Sequence, residues 1–452
     1  MTDSEVEIAA FATANRSSSR LHAAGGVRTD DLWAAVLKFA TWLRNSGYAS
    51  YDPYDVLGTP YGRFARRLYY EGNPAGVLMM APLIVMEIVC PSLRGLFVKK
   101  DRFATADAQL ALAFLNLYEA SRYGASTNAA KGLPEQSPEF WLAKAEKLAD
   151  ELLAQSVPGH SGHCWGYPFD WQNVAGLMPK GTPHITATPY CYEAFARLFD
   201  VTGKEHYLEV ARSITAFVFQ DLNDTPTGPE SAASSYTPCD HGKVVNASAY
   251  RAFLLFDAAR RFQSEELRIK AWKNLRFILE NQQADGSWLY AIDNPGEAFI
   301  DNFHTCFVLK NLYKINLHLN DPGVQKAVRR GYQWYRKALF DAQDDPKSFA
   351  IAHRFQIVRL EMYNVAEAIT LGVLLRNEIP GAWALAEKLA TRLIHCYGLR
   401  QGHWVTRVYF GGIKHTVPFL RWPQSQLFLA VTNLLAAEVA EGNVARPNGG
   451  LC

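Results

Sequence analysis

Apolar residues recur at three-and-four spacing along nearly the whole chain and almost nowhere alternate. This pattern predicts amphipathic helices over 31–45, 103–123, 138–155, 204–221, 246–263, 324–340, 362–376, 382–397 and 423–441. Several starts carry the side chains that satisfy free helical N–H groups: Thr29-Asp30-Asp31, Ser137-Pro138-Glu139 and Asp321-Pro322. The best strand candidate is short, at 405–410. About twelve to thirteen helices are expected, joined alternately by tight turns and by longer loops rich in Gly, Pro, His and aromatic residues. That alternation predicts an all-α fold, an (α/α)6-type toroid of helical hairpins. Its tight turns would gather on one face, and its long loops would frame a cleft on the other.

The most apolar run, GVLMMAPLIVMEIVC at 76–90, is shorter than the ~20 residues of a membrane span and is interrupted by Pro82 and Glu87. It is expected to be a buried core helix. With 49% apolar and 20% charged residues in 452, the chain can bury a large core. No stretch is biased enough to be a linker, so 26–445 reads as one domain after a disordered tail, 1–25. The tail opens acidic and lacks the basic-then-apolar order of a secretory signal, which points to the cytoplasm. Charge narrows the partners: 46 basic against 44 acidic residues make no case for nucleic acid or an anionic membrane. Seven scattered cysteines without a C-x-x-C pair suggest reduced thiols rather than a disulfide framework.

Candidate chemistry concentrates in the long loops. The segment His163-Cys164-Trp165-Gly166-Tyr167-Pro168-Phe169-Asp170-Trp171-Gln172 sets aromatic faces beside a carboxylate and an amide, the combination that sugar rings need. Lys180 follows as a cationic neighbour. A second loop carries Tyr236 and the adjacent pair Asp240-His241 and ends at a helix start, where backbone N–H groups favour a polar ligand. In Asp301-Asn302-Phe303-His304-Thr305, Asp301 is a plausible N-cap. His304 falls at the third helical position, where the helix dipole would keep it neutral and able to accept a proton. Glu361 and Tyr363 precede a later helix, with Arg354 and Arg359 just before them. In Pro418-Phe419-Leu420-Arg421-Trp422-Pro423, Arg421 offers either a fork for a carboxylate or phosphate, or a bridge between inner helices.

His163, Cys164, Cys239, His241, His304 and Cys306 all fall in these loops and are zinc-ligand types, but their spacing matches no ligand motif and no cofactor is expected. Nucleotide-binding glycine motifs and a G-x-S-x-G elbow are also missing.

Six segments, taken in order, carry a family resemblance: Tyr51-Asp52-Pro53-Tyr54-Asp55, 164–172, 235–238, Gln283-Ala284-Asp285-Gly286-Ser287-Trp288, 301–305 and 418–422. Together they resemble the VpsJ-type bacterial polysaccharide biosynthesis proteins over roughly residues 30 to 440. The resemblance implies a toroid working among exopolysaccharide and lipopolysaccharide genes, with possible assembly-enzyme partners. It departs at Leu360-Glu361-Met362-Tyr363-Asn364, where relatives tend to carry a histidine. Separately, KNLRFILENQQADGSW at 273–288 is similar to the QW motif of squalene and hopene cyclases, in which Gln and Trp tie toroid helices together. It occurs once, and the acidic cyclase motif is missing, so it speaks for architecture.

The expected function is that of a carbohydrate-active lyase, epimerase or hydrolase acting on a glycan or sugar intermediate. Asp170, Asp240, His241, His304 and Tyr363 would move protons. Trp165, Trp171, Trp288 and Trp422 would form stacking walls, Tyr54 would contact the substrate, and Tyr167 and Tyr236, also substrate contacts, stand with Tyr363 as further proton carriers. Asp55, His163, Lys180, Asp301, Glu361 and Arg421 would supply polar and charged contacts. The alternatives are an isoprenoid cyclase or prenyltransferase-like enzyme and a glycan-binding scaffold without catalysis.

Overall fold

The computed structural model describes residues 27–122, 137–174, 176–352 and 356–444. The tail at 1–25 and Arg354 lie outside these residues. Among them are fourteen α-helices: α1 Thr29–Ser46, α2 Pro60–Tyr70, α3 Pro74–Val89, α4 Ala104–Arg122, α5 Pro138–Ala154, α6 Thr188–Thr202, α7 Glu205–Gln220, α8 Val245–Phe262, α9 Glu265–Glu280, α10 Asn302–Leu319, α11 Pro322–Ala338, α12 Met362–Leu374, α13 Ala382–Tyr397 and α14 Ser425–Val444. The fold is an (α/α)6 toroid. Helices α4, α6, α8, α10, α12 and α14 form the inner ring, and α1, α5, α7, α9, α11 and α13 the outer one.

Burial follows ring position. Every residue of α8 from Val245 to Ala259 is buried, as is every residue of α12 from Met362 to Val373, because inner helices have neighbours on all sides. The outer helix α11 buries only Val324, Ala327, Val328, Gly331, Tyr332 and Tyr335, a single three-and-four stripe. Tight turns lead from inner to outer helices. Several end on a left-handed residue that closes the helix, namely Gly203, Gln263 and Asn320, and Ser264 and Asp321 then cap the next helix.

The opposite connections are long and converge on the other face. They carry short antiparallel strands: β1 Trp171–Asn173 with β2 Gly176–Met178, β3 Asp224–Pro226 with β4 Ala232–Ser234, and β5 Ile300–Asp301 with β6 Phe349–Ile351. A three-stranded sheet, β7 Val358–Glu361, β8 Arg407–Tyr409 and β9 Lys414–His415, falls where the 405–410 strand is expected. The glutamine-tryptophan junction works as a tie. Gln282 donates to the carbonyls of Gly286 and of Ala327 in α11 (3.0 and 2.9 Å), and Trp288 Nε1 donates to Ile278 in α9.

One expectation fails. The apolar run at 76–90 is not a core helix. It is α3, the second arm of a hairpin inserted into the first long connection, and most of it faces outward. Its first arm, α2, is an eleven-residue helix whose three arginines offset its aromatic side, so the segment is short and polar on average.

Candidate active site

The long connections each send side chains to a common mouth above the inner ring. Below it, the lumen is filled by a buried polar knot: Lys310 Nζ donates to Glu367 and to Tyr190 Oη (both 2.9 Å), and Gln426 donates to Glu367 (2.6 Å).

Arg421 anchors one side of the mouth. It lies just before α14 in a wide turn, and its Nε and Nη2 donate to the buried carboxylate of Asp52 at 2.6 and 2.8 Å. The fork foreseen for a substrate acid is therefore half engaged by the protein, leaving the Nη1 edge. Aromatic faces surround the guanidinium, with Tyr167 at 4.8 Å and Tyr54 and Trp422 each at 5.7 Å. Trp422 stacks flat on Tyr363 at 3.7 Å and meets Phe303 edge-on at 5.0 Å.

His304 anchors the other side. Asp301 caps α10 by accepting from the His304 backbone N–H (3.0 Å), and its second oxygen accepts from His304 Nδ1 (2.8 Å). A proton on Nδ1 leaves Nε2 as the accepting nitrogen. Phe303 and Tyr290 flank the imidazole at 4.2 and 4.6 Å. From Tyr167 the row of rings continues through His184 (4.3 Å) to Tyr236 (5.9 Å).

Burial keeps the phenols of Tyr167, Tyr236, Tyr290 and Tyr363 protonated, raising each above the ordinary tyrosine range. Burial also drives His184 down to about 4, so that imidazole stays neutral. Glu297, half-buried in the turn Pro295–Glu297, is raised by burial and by the negative charge of Asp240. Sequence reasoning passes over Glu297, Asp52, Tyr290 and His184 as site residues. Asp52 does stand in a motif singled out above, whereas Glu297 follows an ordinary Pro-Gly turn.

Of the expected site residues, Tyr54, Tyr167, Trp171, Tyr236, Asp301, His304, Tyr363, Arg421 and Trp422 come together. Trp171 packs on Tyr54 and Tyr167 at 6.0 and 5.5 Å. Asp170 is at the edge, paired with Arg63 of α2 and capped by the Lys180 N–H, while Lys180 itself is exposed. The others serve the scaffold. Asp240 accepts from the N–H groups of Tyr236, Thr237 and Gly242 and from the Thr237 hydroxyl, so it shapes its own loop, and His241 is exposed.

Trp165 and Trp288 are buried with their indole N–H groups on Leu152 and Ile278. His163 is tied to Ser156 (2.9 Å), and Glu361 is paired with Arg407 (3.2 Å). Asp55 caps Val56 beside Arg94, with burial lifting its carboxyl to about 6. Among the described residues no three His, Cys, Asp or Glu side chains gather as a metal site.

No known family's sequence profile matches the chain, and no curated protein matches it in sequence. Solved structures do match in shape. An unsaturated glucuronyl hydrolase specific for heparin superposes with a TM-score of 0.54 at 11% identity, covering 92% of this chain and 98% of its own. Cellobiose 2-epimerase from Bacillus thermoamylovorans gives 0.52 at 13%, covering 75% and 88%. A family 76 α-mannanase of Bacteroides thetaiotaomicron gives 0.52 at 11%, covering 75% and 87%. The likeness is one of fold.

Proposed function

We propose that this protein is a carbohydrate-active enzyme that abstracts and returns a proton on a sugar, in an epimerase or lyase type of reaction. The observation that carries this reading is the Asp301–His304 pair set among aromatic side chains that lead through Phe303 and Trp422 to Arg421. His304 Nε2 would take the proton from a carbon next to a carbonyl or carboxylate. The neutral phenols of Tyr236 and Tyr290 would donate to the oxygen that gains charge, and Glu297 would return a proton. Tyr167, Trp171 and Trp422 would stack on the sugar faces, and the open edge of Arg421 would meet an acidic or hydroxyl group.

Hydrolysis fits less well, because it commonly uses two carboxyl groups flanking the scissile bond. Here both oxygens of Asp52, Asp170, Asp240 and Asp301 are engaged by the protein. Glycan-toroid folds among the solved structures and the residue resemblance to polysaccharide biosynthesis proteins support a sugar substrate of cell-surface polysaccharide assembly. The same engaged carboxylates favour, as a second reading, a cleft that holds a glycan unchanged.

Incubation with reducing disaccharides and uronate oligosaccharides in deuterated water separates these readings. Deuterium incorporation or a new unsaturated uronate, lost in His304→Ala, is expected. Hydrolysis products that persist in His304→Ala, or binding with no product, would overturn the proton-transfer assignment.

A further inference from the structure

The α2–α3 hairpin has no role in the chemistry above, yet it carries the most unusual surface of the molecule. Helix α3 reads PAGVLMMAPLIVMEIV, with Glu87 its sole charge. A helix apolar on every side belongs in a core or in lipid. Among the described residues, the principal helical neighbour of α3 is α2, whose backbone it approaches so closely at Gly76 that a Cβ there would collide with Tyr69. The rest is open: Leu78 is 75% exposed, Val89 74% and, in the turn that follows, Leu96 77%, with Val85 and Phe97 also exposed. A continuous apolar face of this kind marks an interaction site on a soluble domain.

We propose that this hairpin seats the mouth-side rim of the toroid on a membrane surface bearing anionic headgroups. Three observations carry this, and the first of them selects lipid over a second copy of the chain. First, the apolar face is edged by rings and cations. Tyr61, Phe64, Tyr69 and Tyr70 are exposed on α2, Arg67 lies over Phe64 (5.3 Å), and Lys99 and Lys100 stand exposed beyond the apolar turn. Aromatic rings settle at the headgroup level, and cations there gain from anionic lipid, whereas two copies meeting face to face would oppose like charges. Positions 60–102 hold seven basic against three acidic residues; Arg63, Arg94 and Arg102 are paired with carboxylates and Arg66 is buried, so Arg67, Lys99 and Lys100 are the cations that face outward.

Second, sixteen residues of helix reach only about 24 Å, short of the ~30 Å hydrocarbon core, so α3 lies in the interface rather than across it. No helix among the described residues is long and apolar enough to cross a membrane. Third, the hairpin is bolted to the rim. Arg94, fully buried, donates to the Asp52 carbonyl (2.6 Å) and pairs with Asp55 and Glu87, Arg63 pairs with Asp170, and Glu87 also meets His415 (3.1 Å). Phe410 and Ile413, exposed in the loop between β8 and β9, extend the apolar rim beside it. A surface held this rigidly is built to stay exposed until lipid covers it.

Co-sedimentation of the full chain with vesicles of equal parts phosphatidylcholine and phosphatidylglycerol tests this without any substrate, so its failure is distinct from failure of the proposed reaction. Partition into the mixed vesicles is expected, weaker at high salt and weaker with phosphatidylcholine alone. Leu78→Glu combined with Val85→Glu should abolish it, and Leu96→Glu, outside the helix, should reduce it with the fold intact by circular dichroism. Arg67→Glu with Lys99→Glu should weaken it roughly ten- to a hundredfold. Absence of pelleting with the mixed vesicles, or binding unchanged in the apolar variants, would overturn the proposal. So would light scattering that shows a vesicle-free dimer dispersed by Leu96→Glu, which would assign the face to a second copy.

Discussion

Two junctions on the same rim are built from the same ingredients and end with opposite uses. At the start of α10, Asp301 and His304 lie three apart; ahead of α8, Asp240 and His241 are adjacent. Three-residue spacing at a helix start puts both side chains on one face, so a single carboxylate caps the backbone and holds the imidazole. Neighbours in an irregular loop have no such constraint. Asp240 turns inward onto three backbone N–H groups and a hydroxyl, and His241 turns to solvent. An acid beside a histidine becomes a catalytic candidate only where local geometry makes them share a direction.

The largest test of this contrast is on turnover. Replacing His304 with Ala should lower kcat by roughly 10²- to 10⁴-fold, the range of a lost general base, with little change in melting temperature. His241→Ala should leave kcat within about twofold, because its side chain reaches solvent. Steady-state kinetics on the sugar identified by deuterium exchange measures both, and equal losses would erase the distinction drawn between the junctions.

Next in size is stability. Asp240→Ala removes four hydrogen bonds and should cost about 2–4 kcal/mol in urea unfolding while sparing kcat in the protein that remains folded. Asp301→Asn should do the reverse, costing less than about 1 kcal/mol as a cap but at least about tenfold in kcat through the lost hold on Nδ1. A kcat loss for Asp240→Ala matching that of Asp301→Asn would mean that Asp240 also acts on the substrate.

What could be read in the chain follows the same logic of local constraint. The outer helix at 322–338 shows its stripe and its Asp321-Pro322 cap within a few residues of each other, so a window of sequence contains its whole explanation. Asp301 and His304 are legible for that reason too. Asp52 and Arg421 are 369 positions apart, and no local pattern announces that one half-occupies the other. Trp165 and Trp288 look like sugar platforms beside their loop neighbours, but each indole finds a helix carbonyl and turns inward. The run at 76–90 misleads most. Apolar composition predicts burial on average, and only the arrangement of the first connection shows that, among the described residues, no second layer covers this helix.

A third rim histidine supplies the smallest effect and bears on the same contrast. His184, ahead of α6, stands in the wall of the mouth but, fully buried, is neither part-exposed like His304 nor open to solvent like His241. It is buried between Tyr167 and Tyr236, and its pKa falls to about 4 because burial disfavours the charged ring. The unfolded chain titrates this group near 6.5, so between 6.5 and 4 unfolding takes up a proton that the folded protein refuses. Folding stability therefore declines as pH falls through that window, by roughly 2 kcal/mol from pH 7 to 5 for this one group. His184→Phe keeps the ring stacking and removes the titration, so its urea-unfolding free energy should fall less than that of the wild type over the same interval. Parallel slopes for the two proteins would mean that His184 gains a proton within the fold, and it would then join His304 as a second acid-base group of the mouth.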